Sequence, residues 1–242
     1  MAADAPAHDA AAVGPRSIKG ARTRARLLAA AKTVFERDGF LDARISDIAE
    51  EAGVSYGSFY HYFTSKEEAF REVARAQEAQ LDARLDVRAL PATGTARDGS
   101  AAAAAELHAQ LADSVHGYLL EYRAEARIMG VIEQVSRFDQ QTYRLRFERL
   151  ERFAVLLAES IRRAQRAGAA DPALDAGVVA HALTATVTRF AEAWFVQGLF
   201  RAGFEEGVAE LTAVCANALR LPAGAGGGAG PTADRGPAAA DR

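Results

Sequence analysis

From about residue 23 to residue 220, apolar residues return every three or four positions, and no convincing run of alternating β-branched residues interrupts them. That spacing buries one stripe of a helix and cannot bury one face of a strand. The predicted fold is therefore all-α. Helices are expected over about 23–38, 45–52, from Ser55 to Phe63, 66–85, 101–121, 125–137, 140–167, 174–197 and 204–220. The breaks between them fall at 91–100, at Asp171-Pro172 and between Gly198 and Gly203. Residues 1–15 and 222–242 are rich in Ala, Gly and Pro, offer little to bury and are expected to be disordered.

A chain of 242 residues that is 50% hydrophobic can bury a sizeable core, or a small domain joined to a larger one. Its single cysteine, Cys215, cannot close an intramolecular disulfide and reads as a small buried apolar residue. No Cys/His cluster at ligand spacing appears, so neither a metal nor a cofactor is expected. Residues 1–14 lack a basic segment followed by an apolar run, and no stretch approaches the roughly 18 apolar residues of a membrane span. The expectation is a cytoplasmic protein without membrane contact.

A formal charge of −3 counts, by itself, against nucleic-acid binding. The charge is unevenly placed, however. Arg16, Lys19, Arg22, Arg24 and Arg26 follow one another without an acid between them, which suits either a solvated tail or an arm for phosphates.

Just beyond this basic run, Leu27, Leu28, Ala31, Val34 and Phe35 share one helix face, and Gly39 is placed to end that helix in a left-handed turn. A short second helix buries Ile48, Ala49 and Ala52 and stops at Gly53, and Ser55 can cap a third that carries Phe59, Tyr60 and Phe63. Glycine permits the positive φ of the turn, and Val54 fills the angle between the helices. At Ser65-Lys66-Glu67-Glu68 the spacing is that of a capping box, so a longer helix begins there.

Two short amphipathic helices about such a turn make a helix-turn-helix over residues 44–63, whose second helix fits a major groove. The run Ile48-Ala49-Glu50-Glu51-Ala52-Gly53-Val54-Ser55-Tyr56-Gly57-Ser58-Phe59-Tyr60-His61-Tyr62-Phe63-Thr64-Ser65-Lys66-Glu67 resembles the DNA-binding signature of the TetR (tetracycline-repressor-like) family. Phe35-Glu36-Arg37-Asp38-Gly39-Phe40 resembles the end of that family's first helix. The resemblance covers about residues 21–81. It implies domains at 1–20 (a disordered tail ending in the basic arm), 21–81 (the DNA-binding head), 82–221 (a helical regulatory and dimerisation domain) and 222–242 (a second tail).

Carried over residue by residue, the resemblance implies that Ser46, Tyr56, Gly57, Ser58 and His61 lie nearest the base edges. It places Arg24, Arg44, Tyr60, Tyr62 and Lys66 at phosphates. Hydroxyls and imidazole can donate or accept at a base edge, while lysine offers a point charge. Phe59 and Phe63 read as core, and His61 is either a groove contact or merely exposed. The sequence departs from the family at Arg44, where a Ser or Thr commonly caps the second helix. Arginine cannot accept that bond, which leaves Asp42 or a water as the cap.

Beyond residue 100 no catalytic constellation survives: the histidines are scattered, and Ser114-Val115-His116 has neither a nucleophile elbow nor a paired acid. An enzyme is not expected. The resemblance implies instead a ligand cavity lined by Tyr118, Tyr122, Met129, Ile132, Phe147 and Phe190, residues that an ordinary apolar core explains equally well. It further implies a homodimer through Leu183, Val187, Trp194, Leu211 and Val214. The whole reads as a repressor released from a palindromic operator in double-stranded DNA by a small, largely apolar effector; an activator or an effector-independent architectural binder is the alternative. The fourth helix, joining head to larger domain, is the expected lever.

Overall fold

The computed structural model describes residues 18–84 and 101–221, and of residues 84 and 101–104 only the backbone. Both expected tails, Arg16 of the basic run and the break at 91–100 lie outside the described residues. Every regular element among the described residues is helical, as the apolar spacing required: α1 (Ile18–Asp42), α2 (Ile45–Glu51), α3 (Tyr56–Phe59), α4 (Lys66–Arg84), α5 (Ala101–Ala124), α6 (Ala126–Ser136), α7 (Gln140–Arg166), α8 (Ala176–Ala191) and α9 (Phe204–Ala218).

Helix α1 begins earlier than expected. Residues 18–20 are helical, so Lys19 and Arg22 are carried on its first turns, where Thr23 Oγ1 donates to the Lys19 carbonyl at 3.1 Å. Gly39, at φ 74° and ψ 173°, breaks the helix where the sequence put its end, and Phe40 to Asp42 add a last turn. Farther along, Asp139 accepts from Thr142 N at 2.8 Å and starts α7, and Asp175 accepts from Val178 N at 2.9 Å and starts α8. Both are side-chain N-caps.

The expected helix 174–197 changes type at its end. After Ala191 the residues Glu192–Val196 wind as a π-helical turn, with Gln197 N donating to the Glu192 carbonyl at 3.0 Å, and Gly198 closes it at φ 61°. Gly130 of α6 lies close beneath this turn, since a Cβ there would stand 3.0 Å from Val196 Cγ1.

The described chain divides into two compact units. One is built from residues 18–84, 118–153 and 188–201. Its core includes Leu27, Phe35, Ile48, Phe59, Phe63, Phe70, Tyr122 and Ile132; the Phe70 ring meets Phe35 at 5.1 Å and Phe40 at 4.9 Å, both edge-on. The other, from 101–117, 154–187 and 202–221, packs Leu107, Val115, Ile161, Leu183, Val208, Leu211 and Cys215. Burial pushes the Cys215 thiol up to about 11, so it packs as an inert apolar group.

Three expected positions need correction. Leu183 is 5% exposed and Leu211 2%, so both belong to this chain's own core and cannot present themselves to a second subunit. Phe147 is 54% exposed, stacked on Tyr143 along one face of α7, and lines no interior. In each case helical spacing identified an apolar face without saying what that face meets.

Candidate nucleic-acid interface

Helix α2 ends at Ala52. The chain turns through Gly53, at φ 62°, with Gly53 N donating to the Glu50 carbonyl at 2.9 Å and Val54 N to that of Ala49 at 3.0 Å. Ser55 then caps α3: its Oγ accepts from Ser58 N at 3.3 Å and lies 2.7 Å from Ser58 Oγ. Arg26 of α1 holds the turn from outside, donating to the Ala52 and Gly53 carbonyls that end α2.

On α3 and the turn that follows it, Phe59 and Phe63 are fully buried, while Tyr56, Gly57, Tyr60 and His61 are exposed and Ser58 and Tyr62 half-buried. The Tyr56 and Tyr60 hydroxyls lie 3.0 Å apart, a bond that holds the Tyr60 phenol above its ordinary pKa, so it keeps its proton as a donor. An added Cβ at Gly57 would meet open space, so the chain's own packing does not require glycine there.

Arg44 caps α2 with its backbone in extended geometry and no side-chain bond, and neither Asp42 nor any other side chain among the described residues supplies the missing acceptor. Ser46 is exposed beside it, donating to Asp47 Oδ1 at 3.0 Å.

Two of the expected phosphate contacts are already engaged within the chain. Arg24 pairs with Glu72 at 2.7 Å and lies 5.2 Å from the centre of the Phe63 ring. Lys66 directs its ammonium onto three carbonyls, those of Phe40 at 2.7 Å, Leu41 at 3.1 Å and Ala43 at 2.9 Å, with the Phe40 ring centre 4.7 Å away. An ammonium has three protons, and here all three are taken. Lysine and arginine read alike in a motif whether they face outward or onto a neighbouring backbone; the carbonyl-rich end of α1 was the only available hint.

The capping box also differs. Ser65 Oγ accepts from Glu68 N at 3.2 Å as expected, but the Glu68 carboxylate turns to Thr64, accepting from its backbone N and its hydroxyl at 2.6 Å each. Those bonds, the hydroxyl's foremost, hold the Glu68 carboxyl below its usual range.

Residues 27–73 match the family described as bacterial regulatory proteins, tetR family. Over this segment the chain is similar to the TetR family. It is 49% identical over 55 residues to the uncharacterized HTH-type transcriptional regulator YdgC of Bacillus subtilis, covering 23% of this chain and 28% of that protein. It is 34% identical over 129 residues to the HTH-type transcriptional repressor KstR2 of Rhodococcus jostii, covering 46% of this chain and 63% of that one. The chain thus spans less than two-thirds of the length of these relatives. In fold it is similar to the transcriptional regulator FadR of Bacillus subtilis in complex with stearoyl-CoA, at TM-score 0.61 and 17% identity over 79% of this chain and 96% of that one. These relatives are named as regulators, in agreement with the reading of the chain as no enzyme. Among the described residues no helix is long and apolar enough to cross a membrane.

Of the expected cavity residues, Tyr118, Tyr122, Met129 and Ile132 are buried together in the first unit, and Phe190 is half-buried. Tyr118 and Tyr122 stand one helical turn apart with rings 5.8 Å from each other. The Tyr122 hydroxyl is buried without a hydrogen-bond partner among the described residues, that of Tyr118 has Thr188 and Arg149 beside it, and burial raises both phenol pKa values. Sequence reading missed what adjoins them. Arg149 of α7, 3% exposed, donates from Nε to Asp82 of α4 at 2.7 Å and stands 3.0 Å from Glu78, while Arg146 pairs with Glu133 and lies 3.9 Å from Glu78. Burial pushes the Glu78 carboxyl up despite both arginines. An arginine on a long polar helix carries no signal that it is buried, and its partners lie about 70 residues away.

Proposed function

We propose that the chain is a homodimeric transcriptional repressor that holds a palindromic operator until a small molecule releases it. One observation carries the reading: α3, capped by Ser55, and the turn after it bury Phe59 and Phe63 while leaving Tyr56, Gly57 and His61 exposed at the helix-turn-helix. With Ser46 and Ser58 these residues are the proposed base contacts, through hydroxyl, imidazole and close backbone approach. Phosphates fall to Tyr60, Tyr62 and the exposed cations Lys19, Arg22 and Arg44, which have no ion pair among the described residues. One short helix reads too few base pairs for specificity, and a two-fold pair reads two half-sites.

For the dimer contact we assign the exposed Val214 and the half-buried Val187, both of the second unit. The effector is assigned to the neighbourhood of Tyr118, Tyr122, Met129, Ile132 and Phe190, and an acceptor for the Tyr122 phenol beside its apolar body would suit it. Stearoyl-CoA in the FadR structure and the repressor name of KstR2 support ligand control and repression. Release requires the ligand to bind the two states of the protein unequally, typically by about 1–3 kcal/mol.

Selection from random duplexes tests the reading. The expected product is a palindrome with half-sites about one helical turn apart, retained by a dimer in sedimentation, and weakened by Arg44→Ala more at low salt than at high. A non-palindromic product bound by a monomer would overturn it.

A further inference from the structure

The Lys66 ammonium gathers Phe40 O, Leu41 O and Ala43 O at 2.7–3.1 Å, with its charge over the Phe40 ring. The first two carbonyls belong to the last turn of α1, which has no basic residue of its own. Helix ends leave such carbonyls without partners, and a cation there also meets the negative end of the helix dipole. The third belongs to the residue immediately before Arg44, where α2 starts without a side-chain cap. Lys66 is itself the first residue of α4. One side chain therefore fastens the start of α4 to the end of α1 and to the entry of α2.

We infer that Lys66 is a positioning residue that sets the start of α2 from α4, and that it makes no phosphate contact. It accepts no bond from the α2 N–H groups but fixes the chain just ahead of that helix, placing Arg44 and Ser46 for DNA, and it makes α4 and α2 move as one. Arg26 is its counterpart at the other end of α2, on the Ala52 and Gly53 carbonyls. Of the head's cations, Lys32, Arg37, Arg71 and Arg75 pair with carboxylates, so the electrostatic share of binding rests, among the described residues, on Lys19, Arg22 and Arg44. The inference rests on the DNA-binding reading above.

The test is the salt dependence of binding to the selected duplex, by fluorescence anisotropy between about 50 and 300 mM KCl. Wild type is compared with Lys66→Met, Lys66→Gln and Arg44→Ala, each checked for folding by circular dichroism. A lost phosphate contact lowers the slope of log K against log salt by about 0.9 per protomer. Lys66→Met is expected to bind about tenfold more weakly with the wild-type slope, since the loss is one of charge-assisted hydrogen bonds within the protein. Lys66→Gln, which keeps two N–H donors, is expected to bind between the two, again with the slope unchanged. Arg44→Ala is expected to lower the slope. If Lys66→Met does not fold, the slope of Lys66→Gln decides. A shallower slope for a lysine variant, or unchanged affinity for Lys66→Met, overturns the positioning role and leaves the DNA-binding reading standing. A wild-type chain that retains no duplex overturns both.

Discussion

Helices α2 and α3 are 7 and 4 residues long, whereas α5 and α7 run to 24 and 27. A helix of one or two turns does not stand alone in water, so the short pair depends on side chains that bond its ends: Ser55 on Ser58 N, Arg26 on the Ala52 and Gly53 carbonyls, Lys66 on the entry to α2. The long helices rely on buried stripes, and among the stripes α7 admits Arg146 and Arg149 only because Glu78, Asp82 and Glu133 meet them. The contrast teaches where each region is vulnerable. In the head, stability and placement hang on bonds at fixed offsets; beyond it they hang on burial and on one ionic network.

The largest effect is expected in that network. Arg149→Met leaves the buried Glu78 without its nearest cation, and the half-exposed Asp82 without its bonded one, and should cost about 3–5 kcal/mol in urea denaturation. Its pH dependence sharpens the point. Burial already raises the Glu78 carboxyl, so its contribution to stability is full below the unfolded pKa and falls as pH rises through the folded one. Without Arg149 the folded pKa rises further, and the deficit of the variant should therefore shrink as pH is lowered from 7 toward 4.5. A deficit that does not change between these limits would show that Glu78 does not answer to Arg149.

Next comes the turn of the head. Gly53→Ala faces ordinary contact, 3.6 Å from Arg26 Nη2, so its expected cost of about 1–2 kcal/mol is that of φ 62° alone. Thermal denaturation checks it, and a loss well above this range would implicate the Arg26 clamp as well. Ser55→Ala should cost about 1 kcal/mol by removing the α3 cap, measured in the same way, with a matching loss of operator affinity. An unchanged melt would show that the Ser55 cap contributes little to holding α3.

The smallest change is expected at Tyr122→Phe. Removing a buried hydroxyl that has no partner should leave stability unchanged or raise it by about 1 kcal/mol. A clear loss would show that the hydroxyl is satisfied in solution, and would weaken its assignment to an effector.

Much of the head was legible because turn chemistry is tied to particular residues: Gly39 and Gly53 must take positive φ, and Ser55 and Ser65 must stand just ahead of their helices. Beyond residue 100 the helix limits were legible within a few residues, but the faces were not. Leu183, Leu211 and Phe147 have the same spacing, yet the first two are core and the third is exposed.

The sequence by itself determined an all-α chain, a helix-turn-helix and its resemblance to the TetR family, because periodicity, glycine conformation and capping act over a few residues. Tertiary structure alone decided what each charged side chain faces. The partners of Lys66 lie 23 to 26 residues away and those of Arg149 67 or more, and no local pattern records a contact over such separations. The motif's lysine thus turned from an expected phosphate contact into a bond within the head.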